Sequence, residues 1–361
     1  MSIEYMEADS AFVGLLPKGC ELCRRGSKMV LLITGRCQTG CFYCPLSGRK
    51  KGQDVMFANE LLVEDENDIL DEARLIDAEG TGITGGDPLW DLEKSVRIVG
   101  LLKDAFGTSH HIHLYTSTID INSYLRLEEA GLDEIRVHPP LAFWDRMETT
   151  ELEGVRRSID MDIGLEVPLI PGEGRRLRSL IEYANEIDLD FINLNELEFS
   201  ETNCEAFLER GFEVKDDISS AVRGSEELGM EMLRLDLGIS RHYCSSSFKD
   251  RIQLRKRIMR RAENVALPLD IITDEGTLYK GVIESQDMEG VISLLVKVYD
   301  VPDDLFRIDL DKGRVEVAPW VLEEIAQELK LPAFLVEEYP TADRLEVERE
   351  PLNDSARSRP R

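Results

Sequence analysis

Residues 18–47 read KGCELCRRGSKMVLLITGRCQTGCFYCPLS, and they contain five of the seven cysteines in the chain. The apolar run at residues 29–34 is rich in branched side chains and is closed by Gly35, a pattern typical of a buried β-strand. A Cys-x2-Cys pair precedes this strand, and a Cys-x3-Cys-x2-Cys loop follows it. Because a strand of this length spans roughly 20 Å, we expect the two groups of cysteines to lie at its opposite ends.

The composition indicates a globular protein of the cytoplasm. Of the 361 residues, 42% are apolar and 32% are charged, and no apolar run is long enough to predict a membrane span. Residues 1–12 are acidic and lack the apolar centre of a secretory signal. We therefore expect a cytoplasmic location without a membrane partner, where cysteines stay reduced and act as metal ligands or catalytic thiols.

The charge balance is strongly acidic, with one local exception. The chain has 71 acidic and 43 basic residues, a net charge of −28, which disfavours nucleic-acid binding over the whole surface. Residues 249–261, in contrast, carry seven basic residues and one acidic residue. This run indicates an anionic partner, such as a phosphate-bearing substrate, an RNA backbone or an acidic reductant like flavodoxin. The alternative is a solvated helix face that pairs with carboxylates.

Strand-like and helix-like segments alternate over much of the chain. Helices are predicted at residues 91–107 and 175–188, among others. The predicted strands are residues 29–34, 80–84, 111–117, 134–140, 163–170, 191–198 and 232–240. Such alternation predicts an α/β fold with a parallel sheet and crossover helices. The number of units favours a barrel or partial barrel, in which functional groups lie at the carboxyl ends of the strands.

Five regions are predicted along the chain. The region from residue 262 contains a predicted β-hairpin at residues 270–285, with an Asp-Glu-Gly turn. The regions are an N-terminal extension with the Cys-x2-Cys pair (1–27), the barrel (28–248), a basic helix or linker (249–261), a small α+β domain (262–350) and a disordered tail (351–361).

The loop after the first strand has the ligand set of an iron–sulfur cluster. Cys37, Cys41 and Cys44 can bind three irons of a [4Fe–4S] cluster and leave the fourth iron without a protein ligand. Three cysteines at this spacing can also bind zinc, which is the structural alternative.

Two motifs resemble those of the radical S-adenosylmethionine (radical SAM) superfamily. CQTGCFYC (residues 37–44) is similar to its cluster signature, including an aromatic residue, Tyr43, before the third cysteine. ITGGDPLW (residues 83–90) is similar to its Gly-Gly-Glu-Pro element. The resemblance implies a partial (β/α)6 barrel in which the open iron binds SAM. It also implies that an electron from the reduced cluster cleaves SAM, giving a 5′-deoxyadenosyl radical that abstracts a substrate hydrogen.

The same resemblance assigns SAM-binding residues. Gly85, Gly86 and Asp87 are expected to receive the amino group of SAM. Asp87 stands where Glu is commoner, so it can bind the ammonium less directly or act as a helix N-cap. Further SAM-binding positions are Tyr43 near the adenine, Ser117 near the ribose, and Glu166 and Asn195 on later strands. Glu166 and Asn195 can instead be polar residues hydrogen-bonded inside the barrel.

The remaining cysteines suggest a second site. Cys20, Cys23 and Cys244 are candidates for an auxiliary iron–sulfur cluster, which is favoured over structural zinc. The fourth ligand of this site is either His242 or Cys204, or the protein supplies no fourth ligand. The alternative is that Cys20 and Cys23 are ordinary thiols. Cys204 is otherwise expected to be a small buried residue.

Residues 18–350 as a whole resemble an archaeal family described as related to the pyruvate formate-lyase activating enzyme. The resemblance includes GCELCRRGSKMVLLITG, HYCSSSFKDRIQLRKR and EYPTADRLEVEREPL. It implies a radical SAM enzyme that takes electrons from a donor such as ferredoxin or flavodoxin, with an unassigned substrate for which the basic run favours an anion. The Cys-x2-Cys pair and the C-terminal domain depart from a minimal activating enzyme. The alternatives are a radical SAM enzyme that modifies RNA, such as tRNA, and a non-catalytic zinc or iron–sulfur module.

Overall fold

The computed structural model describes residues 2–216 and 219–357. The chain divides into two compact units, Met1–Leu254 and Arg255–Arg361. The cysteine loops and all the predicted site residues belong to the first unit. The second unit begins inside the predicted basic helix rather than after it.

The first unit is built on one large sheet. Its strands are β1 (Glu4–Tyr5), β2 (Ala11–Val13), β3 (Lys28–Leu32), β4 (Phe57–Ala58), β5 (Leu61–Leu62), β6 (Gly80–Thr84), β7 (His111–Thr116), β8 (Glu134–Val137), β9 (Asp162–Leu169), β10 (Phe191–Glu196) and β11 (Ser240–Cys244). The strand order is β1-β2-β11-β10-β9-β8-β7-β6-β3-β4-β5. The run from β11 to β3 is parallel throughout. This sheet confirms the predicted α/β class.

Helices connect the parallel strands. They are α1 (Lys18–Arg25), α2 (Glu66–Leu75), α3 (Leu92–Phe106), α4 (Ile121–Glu129), α5 (Leu152–Arg156), α6 (Gly174–Glu186), α7 (Cys204–Glu209), α8 (Ser225–Leu233) and α9 (Ser246–Phe248), followed by a π-helical segment at Lys249–Leu254. Short 3₁₀ segments lie at Glu7–Asp9, Pro88–Asp91, Leu141–Phe143 and Met147–Thr149. Acidic N-caps begin several helices; the side chain of Asp65, for example, accepts a hydrogen bond from Asn67 N at 2.7 Å.

The two faces of the parallel strands differ in chemistry because successive side chains point to opposite faces. One face is apolar and fully buried, as at Ile135, Leu165 and Ile192, and it forms one core with helix residues such as Ile98 and Leu180. The other face carries Lys28 and Val30 on β3, and Gly82 and Thr84 on β6. On β7 to β11 it carries polar or titratable side chains. This polar face lines a cavity, described below.

The last parallel strand lies later in the chain than predicted. We predicted a strand at residues 232–240, but α8 continues through Leu233 and β11 begins at Ser240. Leu228 and Met232 lie one helical turn apart and are both buried, so a helical period fits this region. The buried side chain of Arg241 then donates hydrogen bonds to carbonyls after the helix, including Leu235 O at 2.8 Å.

The second unit has an antiparallel sheet. Its strands are β12 (Ile271–Ile272), β13 (Leu278–Ile283), β14 (Phe306–Asp309), β15 (Arg314–Val317), β16 (Ala333–Glu338) and β17 (Glu346–Pro351). Their order is β14-β15-β13-β16-β17, with β12 paired to β13. The helices are α10 (Arg255–Val265), α11 (Met288–Lys297), α12 (Pro319–Ile325) and α13 (Asp354–Arg357), with a 3₁₀ segment at Asp303–Leu305. β12 and β13 form the hairpin at the predicted position, and Gly276 takes a left-handed φ of 84° in its turn.

Two boundaries of the second unit differ from prediction. Helix α10 belongs to this unit because its Ile258, Arg261 and Ala262 are buried, and Arg261 Nε donates to Pro340 O at 2.6 Å. The predicted disordered tail contains helix α13, in which Ala356 N donates to Asn353 Oδ1 at 3.0 Å. Residues 358–361 of that predicted tail lie outside the described residues. Within the described part of the chain, no helix is both long enough and apolar enough to cross a membrane.

Candidate functional site

A cavity of about 770 Å³ in the first unit brings most of the predicted site residues together. It lies against the polar face of the parallel strands and the loops that follow them. Of the fifteen predicted positions, all except Asp87 and Cys204 line it: Cys20, Cys23, Cys37, Cys41, Tyr43, Cys44, Gly85, Gly86, Ser117, Glu166, Asn195, His242 and Cys244. Cys204 is only half-buried and does not line the cavity, so the expectation of a buried residue is wrong.

The loop that carries Cys37, Cys41 and Cys44 is compact and held at its base. Thr39 Oγ1 lies 3.0 Å from Cys37 Sγ and accepts a hydrogen bond from Cys41 Sγ at 3.5 Å. Asn203 Nδ2, at the start of α7, donates to the carbonyl of Tyr43 at 3.2 Å. The loop is therefore fixed by contacts remote in sequence, while Cys37 stays exposed.

Gly85 and Gly86 pack against the backbone that leads into the cysteine loop. Gly86 N donates to Thr34 O at 2.8 Å, and Asp87 N donates to Arg36 O at 2.8 Å. A Cβ at Gly85 would lie 2.3 Å from Thr34 O, and one at Gly86 would lie 2.2 Å from Arg36 O. The protein backbone itself thus requires both glycines, a reason that differs from the close ligand approach expected from the sequence.

Asp87 does not line the cavity. Its carboxylate is 4% exposed and caps the Pro88–Asp91 segment by accepting from Leu89 N at 3.0 Å. It also accepts hydrogen bonds from the hydroxyls of Thr116 at 2.6 Å, Ser117 at 2.7 Å and Thr118 at 2.9 Å. Of the two roles considered for Asp87, the structure has the N-cap, and the carboxylate fixes the cavity residues Thr116 and Ser117.

Tyr43 is linked to a chain of hydrogen bonds that ends on β9. His138 Nδ1 donates to the carbonyl of Glu166 at 2.7 Å, and its other ring nitrogen, Nε2, lies 3.0 Å from the Tyr43 hydroxyl. Burial alone would raise the pKa of Cys41, but hydrogen bonds from His138, Thr39 and Tyr43 outweigh it and lower that pKa to about 7. A thiol with this pKa readily gives the thiolate that binds metal.

A buried charged layer lies deeper in the cavity. Arg136 is 1% exposed; its guanidinium pairs with Glu134, and Nη1 donates to Glu166 Oε2 at 2.8 Å and to Tyr115 OH at 3.3 Å. Burial would raise the pKa of Glu166, but Arg136 and the amide of Asn195 lower it below its ordinary value. The predicted position Glu166 is therefore an ionised group held by neighbours, as in the alternative of a hydrogen-bonded interior residue.

Sequence reasoning missed several of these cavity residues. Lys28, Tyr115, Arg136 and Asn193 line the cavity but were not singled out. The signal was strand alternation: Arg136 stands between the buried residues Ile135 and Val137. A single polar residue between apolar neighbours in a predicted buried strand identifies the face that lines a cavity.

The Cys-x2-Cys pair lies on helix α1, at the inner end of the same cavity. Cys20 and Cys23 are three residues apart, so they share one helix face, and both are at least nine-tenths buried. Asn193 Nδ2 donates to Cys20 Sγ at 3.4 Å. Cys244, equally buried, ends β11. The structure thus places the three predicted auxiliary cysteines around one cavity.

The thiols are not arranged for a single metal ion. In residues 2–216 and 219–357, no three His, Cys, Asp or Glu residues are placed to hold one ion. Zinc holds its thiolates about 2.3 Å away, so the sulfurs of a zinc site converge on one point. The thiolates of an iron–sulfur cluster each bind a different iron and need not converge.

Two residues of the predicted basic run pair with carboxylates of their own unit. In the first unit, Lys249 pairs with Glu198 and lines the cavity. In the second unit, Arg255 pairs with Glu275 at 3.2 Å, and Arg261 is buried. These contacts favour the alternative interpretation, in which the run pairs with carboxylates.

Comparison with known proteins gives two matches. Residues 276–352 match a family model described as a domain of unknown function, DUF8061. The chain is also 38% identical over 353 residues to a putative glycyl-radical enzyme activating enzyme of Methanocaldococcus jannaschii. That alignment covers 93% of each chain, so the similarity extends over both units.

Proposed function

Since the chain belongs to the family of this putative glycyl-radical enzyme activating enzyme, we propose that it is a radical SAM enzyme of the activating-enzyme type. Cys37, Cys41 and Cys44 are assigned as ligands of a [4Fe–4S] cluster whose fourth iron takes SAM. When bound, the cluster supplies the electron that cleaves SAM and so starts hydrogen abstraction from a substrate.

The observation that carries this proposal is the single cavity shared by the cysteine loop and the Gly-Gly-Asp loop. Its volume of about 770 Å³ lies within the range of pockets that enclose ligands of a few hundred daltons. Backbone hydrogen bonds tie the two loops together directly before Cys37. The lowered pKa of Cys41 also suits a thiolate ligand.

The remaining residues are assigned by their place in the cavity. Tyr43, fixed by His138, is the candidate for adenine contact, and Ser117 is the candidate for ribose contact. Gly85 and Gly86 shape the amino-group site, and Asp87 acts on it through Thr116 and Ser117. Glu166 and Asn195 are hydrogen-bonded to each other at 2.9 Å and offer polar atoms farther in.

We assign the parallel strands to a partial (β/α)6 barrel with one further strand. Support comes from the cavity lining, because residues from β3 and from β6 through β11 all contribute to it. An electron donor such as ferredoxin or flavodoxin would approach the exposed side of the loop at Cys37. The substrate is unassigned, and the ion pairs of Lys249 and Arg255 weaken the support that the basic run gives to RNA or another anion.

The test is anaerobic reconstitution with iron and sulfide, reduction by dithionite, and chromatography of the products formed from SAM. We expect 5′-deoxyadenosine from the natural chain and from Cys204→Ala, because Cys204 lies outside the cavity. We expect only background amounts from Cys41→Ala. Absence of 5′-deoxyadenosine from natural protein with its full iron content would overturn the proposal and leave a non-catalytic module.

A further inference from the structure

Three buried thiols at the inner end of the cavity have no role in the cluster loop. Cys20 and Cys23 project from the same face of α1, and Cys244 ends β11. Their exposed fractions are 6%, 7% and 6%, and all three line the cavity. The chain from Cys23 to Cys37 passes through the whole of β3, so this group is separate from the loop of Cys37, Cys41 and Cys44.

His242 has a free ring nitrogen beside these thiols. It is 2% exposed, and its Nδ1 lies 3.3 Å from Asn193 Oδ1. Asn193 Nδ2 donates to Glu166 Oε2 at 3.0 Å, so Oδ1 is the acceptor and the His242 proton lies on Nδ1. His242 Nε2 then carries a lone pair, and it has no hydrogen-bond partner among the described residues. Metal-binding histidines have this arrangement of one oriented nitrogen and one free nitrogen.

We propose that Cys20, Cys23 and Cys244, with Nε2 of His242 as fourth ligand, hold a second iron–sulfur cluster. This proposal goes beyond the proposed function, since it holds whether or not the chain cleaves SAM. Asn193 contacts two of the four ligands, Cys20 and His242. It acts as a positioning residue for both.

Charge in this part of the cavity supports the assignment. Bound iron would convert the buried thiols to thiolates and add negative charge to the site. Buried charge needs a nearby counter-charge, and the cation Lys28 lines the same cavity.

The placement of the donors fits an iron–sulfur cluster, although three cysteines and one histidine also occur as a zinc-binding set. No three of these side chains converge on one ion in the described residues. A cluster tolerates this spacing because each ligand binds its own iron. A mixed set of cysteine and histidine ligands occurs in iron–sulfur proteins and raises the reduction potential of the cluster.

The test counts iron and acid-labile sulfide in the anaerobically reconstituted chain with Cys37→Ala, Cys41→Ala and Cys44→Ala combined. We expect this variant to retain about two to four iron atoms and as many sulfides per chain, according to cluster type. Adding Cys244→Ala should remove them, whereas adding Cys204→Ala should not. Circular dichroism and thermal unfolding of each variant, compared with the natural chain, test whether a loss of iron comes from a loss of folded structure.

A triple variant that folds but holds no iron and no sulfide would overturn the proposal of a second cluster. Zinc bound without sulfide would overturn it as well. Neither result would touch the proposed SAM chemistry, which is measured by 5′-deoxyadenosine from the natural chain. The fourth ligand is tested by His242→Cys in the triple variant. Exchange of nitrogen for thiolate should lower the reduction potential of the retained cluster, and an unchanged potential would remove His242 from the ligand set.

Discussion

At the residue scale, the backbone that precedes Cys37 is held in place by the Gly-Gly-Asp element at residues 85–87. Gly85 and Gly86 allow two backbone segments to approach within hydrogen-bonding distance. Asp87 then gathers three hydroxyl donors on one buried carboxylate. A buried carboxylate that is satisfied in this way stabilises a fixed geometry, because loss of any donor leaves an unpaired polar atom. The Gly-Gly-Asp element is therefore a support for the cysteine loop.

Replacement of Gly86 by Ala tests this support. The new Cβ would lie 2.2 Å from Arg36 O, so the backbone before Cys37 must move. We expect a destabilisation of about 1–3 kcal/mol, typical of overpacking, and a lower yield of 5′-deoxyadenosine. Chemical unfolding followed by circular dichroism measures the first effect, and product chromatography measures the second.

The matched control is Gly100→Ala. Gly100 lies inside α3, and a Cβ there would meet no atom within 4 Å. Alanine is a better helix former than glycine by about 1 kcal/mol, so this variant should be at least as stable as the natural chain and fully active. If Gly86→Ala behaved like Gly100→Ala, the supporting role of the glycine pair would be wrong.

Residue-level prediction was possible where candidate ligands are close in sequence. Cys37, Cys41 and Cys44 share one loop, so their spacing alone made them candidates, and their role as cluster ligands stays a prediction. Arg136 and Asn193 were missed because each is a single polar residue in an apolar strand. Their importance comes from neighbours on other strands, such as Glu166, which only the folded sheet brings near.

At the element scale, the strands of the second unit carry a buried charge network. Glu338 on β16 is fully buried and pairs with Lys280 at 3.0 Å and with Arg314 at 2.7 Å. Arg344 also donates to it, at 3.0 Å. Burial would raise the pKa of Glu338, but Lys280 and Arg314 outweigh it and lower that pKa to about 2. The sheet of this unit thus depends on ionised side chains inside it.

The stability of the second unit should therefore fall in acid. The pKa of Glu338 is lower in the folded chain than its ordinary value of 4.5, so its stabilisation is complete above pH 4.5. It should be lost as the pH falls from 4.5 towards 2. Glu338→Gln should be less stable than the natural chain at pH 7, and the difference should shrink over this range.

Calorimetry of the full chain between pH 7 and pH 2 measures this difference. Glu348→Gln on β17 is the control, because Glu348 is exposed and should change little at any pH. A stability difference for Glu338→Gln that stayed constant down to pH 2 would contradict the ionised network.

Element prediction failed at the last strand for a physical reason. Residues 232–240 contain alternating apolar side chains, which fit a strand as well as the end of a helix. The packing of α8 against the sheet favours the helix at the start of this segment. The side chain of Arg241 donates hydrogen bonds to the carbonyls that follow the helix. The hairpin of β12 and β13 was predictable because a glycine turn is a local signal.

At the scale of the whole molecule, the described residues that line the cavity all belong to the first unit. The sequence predicted the α/β class, because strand-like and helix-like segments alternate along it. The sequence predicted that the second unit begins at residue 262, whereas it begins at residue 255. The many basic residues of α10 hid the apolar pattern of its buried face in the sequence. The family relationship extends over both units.

In the proposed function, SAM binds to the iron cluster held by Cys37, Cys41 and Cys44. Electron paramagnetic resonance of the reduced chain with Cys20→Ala, Cys23→Ala and Cys244→Ala combined tests this binding, since only this cluster should remain. We expect SAM to shift the g-values of the signal, because new ligands on the open iron change its symmetry. A signal of full intensity that saturating SAM leaves unchanged would contradict it.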